Sequence, residues 1–309
     1  MFLLLIFPVG SNALATVLNF CNCYSEENIN GFICSEIEIT NKTGEQITGR
    51  SMGKYITIEF GKIWLKEYAK FILAVELVAK KIKMLAGENN QKILIAGLGN
   101  NYITADSIGP KALQKILITR HLKKQLPGLY NNSDLTDLTE ISGIAPGVLG
   151  QTGMETAEII LSVTEEIKPS LVIIIDALAS RKISRLATTV QLSDTGISPG
   201  SGVGNHRQAI DSKLLGTKVI SIGVPTVVDA ATLSYDVIEE AYKYMGKIPD
   251  DILTLDILKE SLEEMGGNFF VTPKESDAII SEVSKVIGYG VNKAFYEDIS
   301  YEEMSRIVN

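Results

Sequence analysis

Two aspartates, Asp106 and Asp176, stand where acid–base chemistry could use them. The run KILIAG (Lys92 to Gly97) leads through LGNNYIT toward Asp106, and the run LVIII (Leu171 to Ile175) stops directly on Asp176. Uninterrupted Ile, Val and Leu runs of this length read as strands of a parallel sheet covered on both faces, where ligands collect at the carboxyl ends of the strands. An acid at that point faces a cleft. Carboxylates sharing one rim shift each other's proton affinity, so that one keeps a proton while the other releases it. That division supplies one acid and one base. Each aspartate alone also fits a plainer role, as a helix cap or a turn residue.

Other polar and glycine-rich segments fall near the same strand ends. GLGN (Gly97 to Asn100) lacks the third glycine of a dinucleotide fingerprint, and is read as a tight turn that faces backbone amides and Asn100 toward the site of Asp106. DTGISPGSGVGN (Asp194 to Asn205) is too long and glycine-rich for a simple turn, and has no Lys placed for a Walker loop. It is expected to bind substrate, with Asp194, Gly200, Gly202 and Asn205 as its contributors. GVPTVVDAAT (Gly223 to Thr232) adds Asp229, which is a third carboxylate at the rim or an acid in the first turn of a helix. In IAPGVLGQTGMET, Thr152 and Glu155 have the spacing of a capping box. Ser180, Arg181, Arg185 and Arg207 are candidates to hold a substrate carboxylate or to neutralise the aspartates.

The elements that must position these groups alternate along the chain. Residues 33–40 and 54–60 alternate in polarity about a glycine-bearing turn, which predicts a hairpin or two edge strands. Phe71, Val75, Val78 and Ile82 predict a helix over 64–85. Strand 92–97, helix 110–126, strand 141–144, helix 154–167 and strands 171–175, 188–192 and 218–224 follow. Two further helices flank FFVTP. That order predicts a three-layer α/β/α sandwich on a largely parallel or mixed sheet.

The 309 residues are 45% hydrophobic, enough for a full core. A net charge of −8 with interspersed signs argues against a constitutive nucleic-acid or anionic-membrane surface. The three cysteines, Cys21, Cys23 and Cys34, lie near the amino end outside any disulfide or zinc spacing, and are read as free thiols. Two histidines, His121 and His206, make a permanent zinc centre a poor fit, and neither a metal nor a cofactor is expected. The apolar residues 1–20 contain ALA, as a secretory signal does. They lack Lys and Arg and are interrupted at Pro8 and Gly10, which favours a cytoplasmic protein with an atypical amino end. The division expected is 1–30 as that segment and 31–309 as a single α/β domain.

In order along the chain, GLGN, TADSIGPKAL, ITRHL, IAPGVLGQTGMET, IDALASR, DTGISPGSGVGN, IGVPTVVDAAT and VTPKE resemble the germination protease (spore endopeptidase) family of endospore-forming bacteria. The resemblance spans 37–295. It implies an aspartic-type endopeptidase that begins the degradation of small acid-soluble spore proteins, made as a zymogen and assembled as a homotetramer in the forespore or spore core. It also implies a fold similar to the hydrogenase-maturation proteases (phosphorylase/hydrolase-like), and assigns the two essential aspartates to Asp106 and Asp176. Residues 1–30 depart from the family's acidic propeptide. Two alternatives are a metal-dependent maturation endopeptidase of the same fold and an inactive sporulation scaffold.

Overall fold

A computed structural model describes residues 23–125, 139–200, 207–246, 254–267 and 269–307. One sheet contains β1 (Cys23–Ile29), β2 (Phe32–Ile39), β3 (Gly53–Glu59), β4 (Lys92–Gly97), β5 (Glu140–Ile144), β6 (Leu171–Ser180), β7 (Thr189–Ser193), β8 (Lys218–Asp229) and β9 (Phe270–Val271). Its order is β1-β2-β3-β7-β8-β6-β4-β5, with β9 added beside β8. The half from β8 through β6 and β4 to β5 is parallel. The half from β1 through β2, β3 and β7 to β8 is antiparallel.

The helices are α1 (Lys42–Thr48), α2 (Tyr68–Ala86), α3 (Ile108–Leu113), α4 (Arg120–Gln125), α5 (Leu149–Thr152), α6 (Thr156–Ile167), α7 (Ser212–Leu215), α8 (Ala230–Tyr244), α9 (Leu255–Glu264), α10 (Ser276–Phe295) and α11 (Tyr301–Ile307). Successive strand side chains point to opposite faces, so each apolar strand feeds two cores. Ile93, Ile95, Ile173, Ile175, Ile220 and Ile222 pack with Val75, Val78 and Ile82 of α2 and Val283, Val286 and Ile287 of α10. Leu94, Ala96, Val172, Ile174 and Val219 pack on the other face with Ala157 and Ile160 of α6 and Leu215 of α7. Each fully buried Ile, Leu or Val contributes roughly 1.5–3 kcal/mol. Three layers result, as the β-α-β order predicts.

Several elements differ from their sequence expectation, each for a visible reason. The expected helix over 110–126 is two, α3 and α4. Between them Asn292 bonds the backbone of Leu117 and Lys115, each at 2.9 Å, and Thr119 N donates to Ile141 O at 3.0 Å. That backbone is spent outside a helical ladder. The turn between β2 and β3 contains α1, opened by Asn41, which accepts from Gly44 N at 2.8 Å. The capping-box spacing of Thr152 and Glu155 does not open a helix: Thr152 lies in α5, and Glu155 N instead bonds the Glu158 carboxylate before α6. The tail adds α11 and the short strand β9 to its two expected helices. Strands β6 and β8 both continue past their apolar runs. Pro225 has no N–H for the ladder, and the pairing slips between Leu178 and Ala179 opposite it. The expected boundary after residue 30 falls in the β1–β2 turn, where Asn30 and Gly31 have φ of 55° and 87°.

Close backbone approach fixes one joint beneath the site. A Cβ added to Gly109 would lie 2.5 Å from Ile175 O and nearer still to Leu98 O. Gly109→Ala should therefore cost about 1–3 kcal/mol, read as a lower urea midpoint, because α3 must back away from the ends of β4 and β6. An unchanged midpoint would contradict so tight a joint.

Among the described residues no helix is long and apolar enough to cross a membrane. Cys34 is buried with a free thiol. Cys21 and His206 lie outside the described residues, as does the side chain of Cys23.

Candidate active site

The second face of the sheet changes character partway across. Over β4, β6 and the start of β8 it is apolar, but the same alternation then brings Asp176 after Ile174, Ser221 after Val219, and Gln191 and Ser193 on β7. These polar residues floor a cleft of about 900 Å³. Its walls are loops: 98–106 after β4, 147–148 after β5, 195–200 after β7, and 48–51 between α1 and β3. Six charged residues line it, Arg50, Arg181 and Arg207 against Asp106, Asp176 and Asp211.

Neighbouring strands bring the two predicted acids together. Gly97 pairs with Ile175, so the chain leaves β4 level with the point where Asp176 follows on β6. It returns through a short 3-10 turn, Thr104–Asp106. Gly99 crosses over that turn with φ of 110°, and a Cβ there would stand 3.0 Å from the Asp106 carboxylate and closer to its backbone oxygen. Glycine alone fits both demands. Asn100 N then donates to Asp106 Oδ2 at 2.7 Å. Thr104 Oγ1 donates to Asp277 at 2.6 Å and so ties the turn to α10.

The carboxyls have unequal surroundings. Asp176 is only 6% exposed. Burial first, and then the charge of Asp106, push its proton affinity up to about 7, against a hydrogen bond from Ala177 N at 2.8 Å and the opposing charge of Arg207. Asp106 is half-buried. Burial raises its proton affinity too, opposed by the amide of Asn100 and by Arg207. The influence of Asp106 on Asp176 means that the two titrate as a coupled pair, with one proton favoured between them. Asp176 is the better holder of that proton. Such a pair can supply one acid and one base to a water.

The remaining predicted residues divide. Gly200 lines the cleft. Asn100 contributes its backbone amide to Asp106, while its side chain accepts from Gln151 at 3.0 Å and Tyr102 N at 3.0 Å. Asp194 lies outside the cleft lining and accepts from Lys54 N at 2.7 Å, joining the ends of β3 and β7. Asp229 caps α8 through Thr232 N at 2.8 Å and Thr232 Oγ1 at 2.5 Å. Gly202 and Asn205 lie outside the described residues. Arg181 and Arg207 line the cleft, whereas Arg185 is buried and ion-paired with Glu59 at 2.9 Å. Ser180 donates to Lys182 O at 2.6 Å.

Sequence reasoning missed Gln191, Ser193, Ser221 and Arg50 as cleft residues. The signal was present in TVQLS, where polar side chains alternate with buried Val190 and Leu192. It reads equally well as a solvated strand face. Arg50 is buried enough to fall below the ordinary arginine value, helped by the like charge of Arg181. The two arginines give one wall of the cleft a positive character. Among the described residues no group of three His, Cys, Asp or Glu side chains is disposed to hold a metal ion.

Comparison with known proteins places this geometry in context. The family described as germination protease matches residues 19–253 and 248–307. The germination protease of Clostridium tetani is 40% identical over 293 residues, covering 89% of this chain and 88% of the relative. That of Caldanaerobacter subterraneus is 39% identical over 298 residues, covering 92% and 91%. That of Bacillus subtilis is 35% identical over 325 residues, covering 90% and 87%. Among solved structures, a NiFe hydrogenase maturation protease from Thermococcus kodakarensis matches with a TM-score of 0.34 and 14% identity, covering 69% of this chain and 99% of that one.

Proposed function

The chain belongs to the germination protease family, and we propose that it cuts small acid-soluble spore proteins by adding water to a peptide carbonyl between Asp106 and Asp176. As a member of that family it is a protease of spore germination. The finer reading rests on the family resemblance: aspartic-type chemistry, a zymogen precursor, a homotetramer, a place in the forespore or spore core, and 31–309 as the peptidase unit. Asn100, Gly200, Gly202 and Asn205 are proposed as substrate-binding residues from the glycine-rich loops that carry them, and the same role expected of Asp194 and Asp229 has no support from their bonds, which are those of a turn and a helix cap.

One observation carries the chemistry. Asp176 holds its proton to about pH 7, while Asp106, bonded by an amide and more exposed, ionises first. Ionised Asp106 takes a proton from water as the water oxygen bonds to the carbonyl carbon. Protonated Asp176 hydrogen-bonds the carbonyl oxygen and then protonates it. The C–N bond breaks as the amine receives the proton held by Asp106, and collapse of the resulting diol returns a proton to Asp176. Both residues end as they began.

The test is incubation of the purified full-length chain with small acid-soluble spore proteins, with and without a strong chelator. Discrete fragments at equal rates are expected in both arms. No cleavage would contradict the substrate. Loss under chelation that a divalent cation restores would replace this mechanism by Lewis-acid activation of the same water.

A further inference from the structure

Six charged residues line the cleft, and Arg207 is the arginine whose charge lowers the proton affinity of both aspartates. Asp211 caps α7 through Leu214 N at 2.8 Å, Arg50 and Arg181 lie within repulsive range of each other, and Asp106 and Asp176 form the acid pair. Arg207 is the sixth. It stands three residues before Ile210, whose backbone pairs reciprocally with Ile197, Ile197 N to Ile210 O at 3.0 Å and Ile210 N to Ile197 O at 2.8 Å. Its charge reaches both aspartates. Yet among the described residues it forms an ion pair with neither. Arg207 therefore shares the cleft with the acid pair, its charge lowering the proton affinity of both carboxyls without an ion pair to either.

We propose that Arg207 is a third catalytic residue, whose guanidinium holds the oxygen of the scissile carbonyl as it becomes an oxyanion while water adds from the side of the aspartates. The proposal rests on the two-aspartate reading above. A carbonyl oxygen has two lone-pair directions; the O–H of Asp176 takes one and an N–H of Arg207 the other. Negative charge develops on that oxygen only in the transition state, so a fixed cation beside it lowers the barrier without tightening ground-state binding. Arginine suits the place because it stays charged at every working pH and presents a rigid fork of donors.

The experiment compares Arg207→Gln and Arg207→Lys with the wild-type protein on the same spore-protein substrate, with kcat and KM measured across pH. Arg207→Gln should lower kcat at the optimum by roughly 10²–10³-fold, with KM little changed. Arg207→Lys should keep part of that rate, and added guanidinium ion should restore part of it to Arg207→Gln. Unchanged kcat at the optimum with only displaced pH limbs would reduce Arg207 to a neutraliser of the acids and overturn the proposal. A rise in KM at constant kcat would make it a substrate anchor and overturn it equally. If Arg207→Gln does not fold, Arg207→Ala takes its place, and wild-type kcat at the optimum in that folded variant overturns the proposal. Failure of the underlying reading is recognised separately, by aspartate variants that still cleave.

Discussion

Asp106→Asn and Asp176→Asn are each expected to slow peptide cleavage by roughly 10²–10⁴-fold, the range lost with a general acid or base. The fold should survive both changes. Asparagine is isosteric with aspartate and keeps an oxygen to accept from Asn100 N at position 106 or from Ala177 N at position 176. What it cannot do is take or give the proton. Asp194→Asn should cost far less, because its role is to accept one amide from Lys54 at a strand end, and asparagine can accept it too. Near-normal turnover by a folded Asp106 or Asp176 variant would remove that residue from the mechanism. Steady-state rates beside a circular dichroism spectrum give the answer.

The second large effect is on stability and runs the other way. In the unfolded chain Asp176 loses its proton near pH 3.8, whereas in the fold it keeps it to about 7. Between those values the folded state binds more protons than the unfolded, so this group lowers stability as pH rises, and the deficit is complete above about 7. At 1.36 kcal/mol per pH unit the deficit approaches roughly 4 kcal/mol. Asp176→Asn removes the charge that burial penalises. The variant should therefore be more stable than wild type at pH 8, by up to that amount, and lose its advantage as the pH falls toward 4. Urea denaturation at pH 8, 6 and 4 reads the difference. A gap that does not change with pH would contradict the raised proton affinity. Under the proposed mechanism this cost serves function, since a site that holds a neutral acid beside an ionised base gives up stability to do so.

Apolar runs made the sheet legible. KILIAG and LVIII can only be strands buried on both faces, and their parity assigns each residue to a core. Parity also explains where the sequence stopped being readable. Asp176 and Gln191 follow the alternation of their strands faithfully, but whether a given face turns polar over solvent or over a cleft depends on which strands become neighbours. The antiparallel insertion of β3 and β7 beside β8 decides that, and pairs as far apart in sequence as Tyr55 and Ser193 do not announce themselves locally. Strand β7 itself reads as one more strand of the parallel set; the short link from β6, through the 3-10 turn Ile183–Arg185, lacks the length of a parallel crossover. Asp194 and Asp229 are turn and cap formers by type, and their bonds in the fold are those of a turn and a cap. Asp106 was legible for a different reason, since a glycine turn after a buried strand has few other ways to aim an acid.

The central claim is that Asp106 and Asp176 divide one proton between them, and carboxyl carbon NMR on aspartate-labelled protein tests it most directly. In the wild type, with assignment by single substitution, Asp176 should titrate near pH 7, far above the ordinary 3.8. In Asp106→Asn its midpoint should fall, while burial keeps it above the ordinary value. A wild-type Asp176 that titrates like a solvated carboxyl, unmoved by Asp106→Asn, would contradict the account.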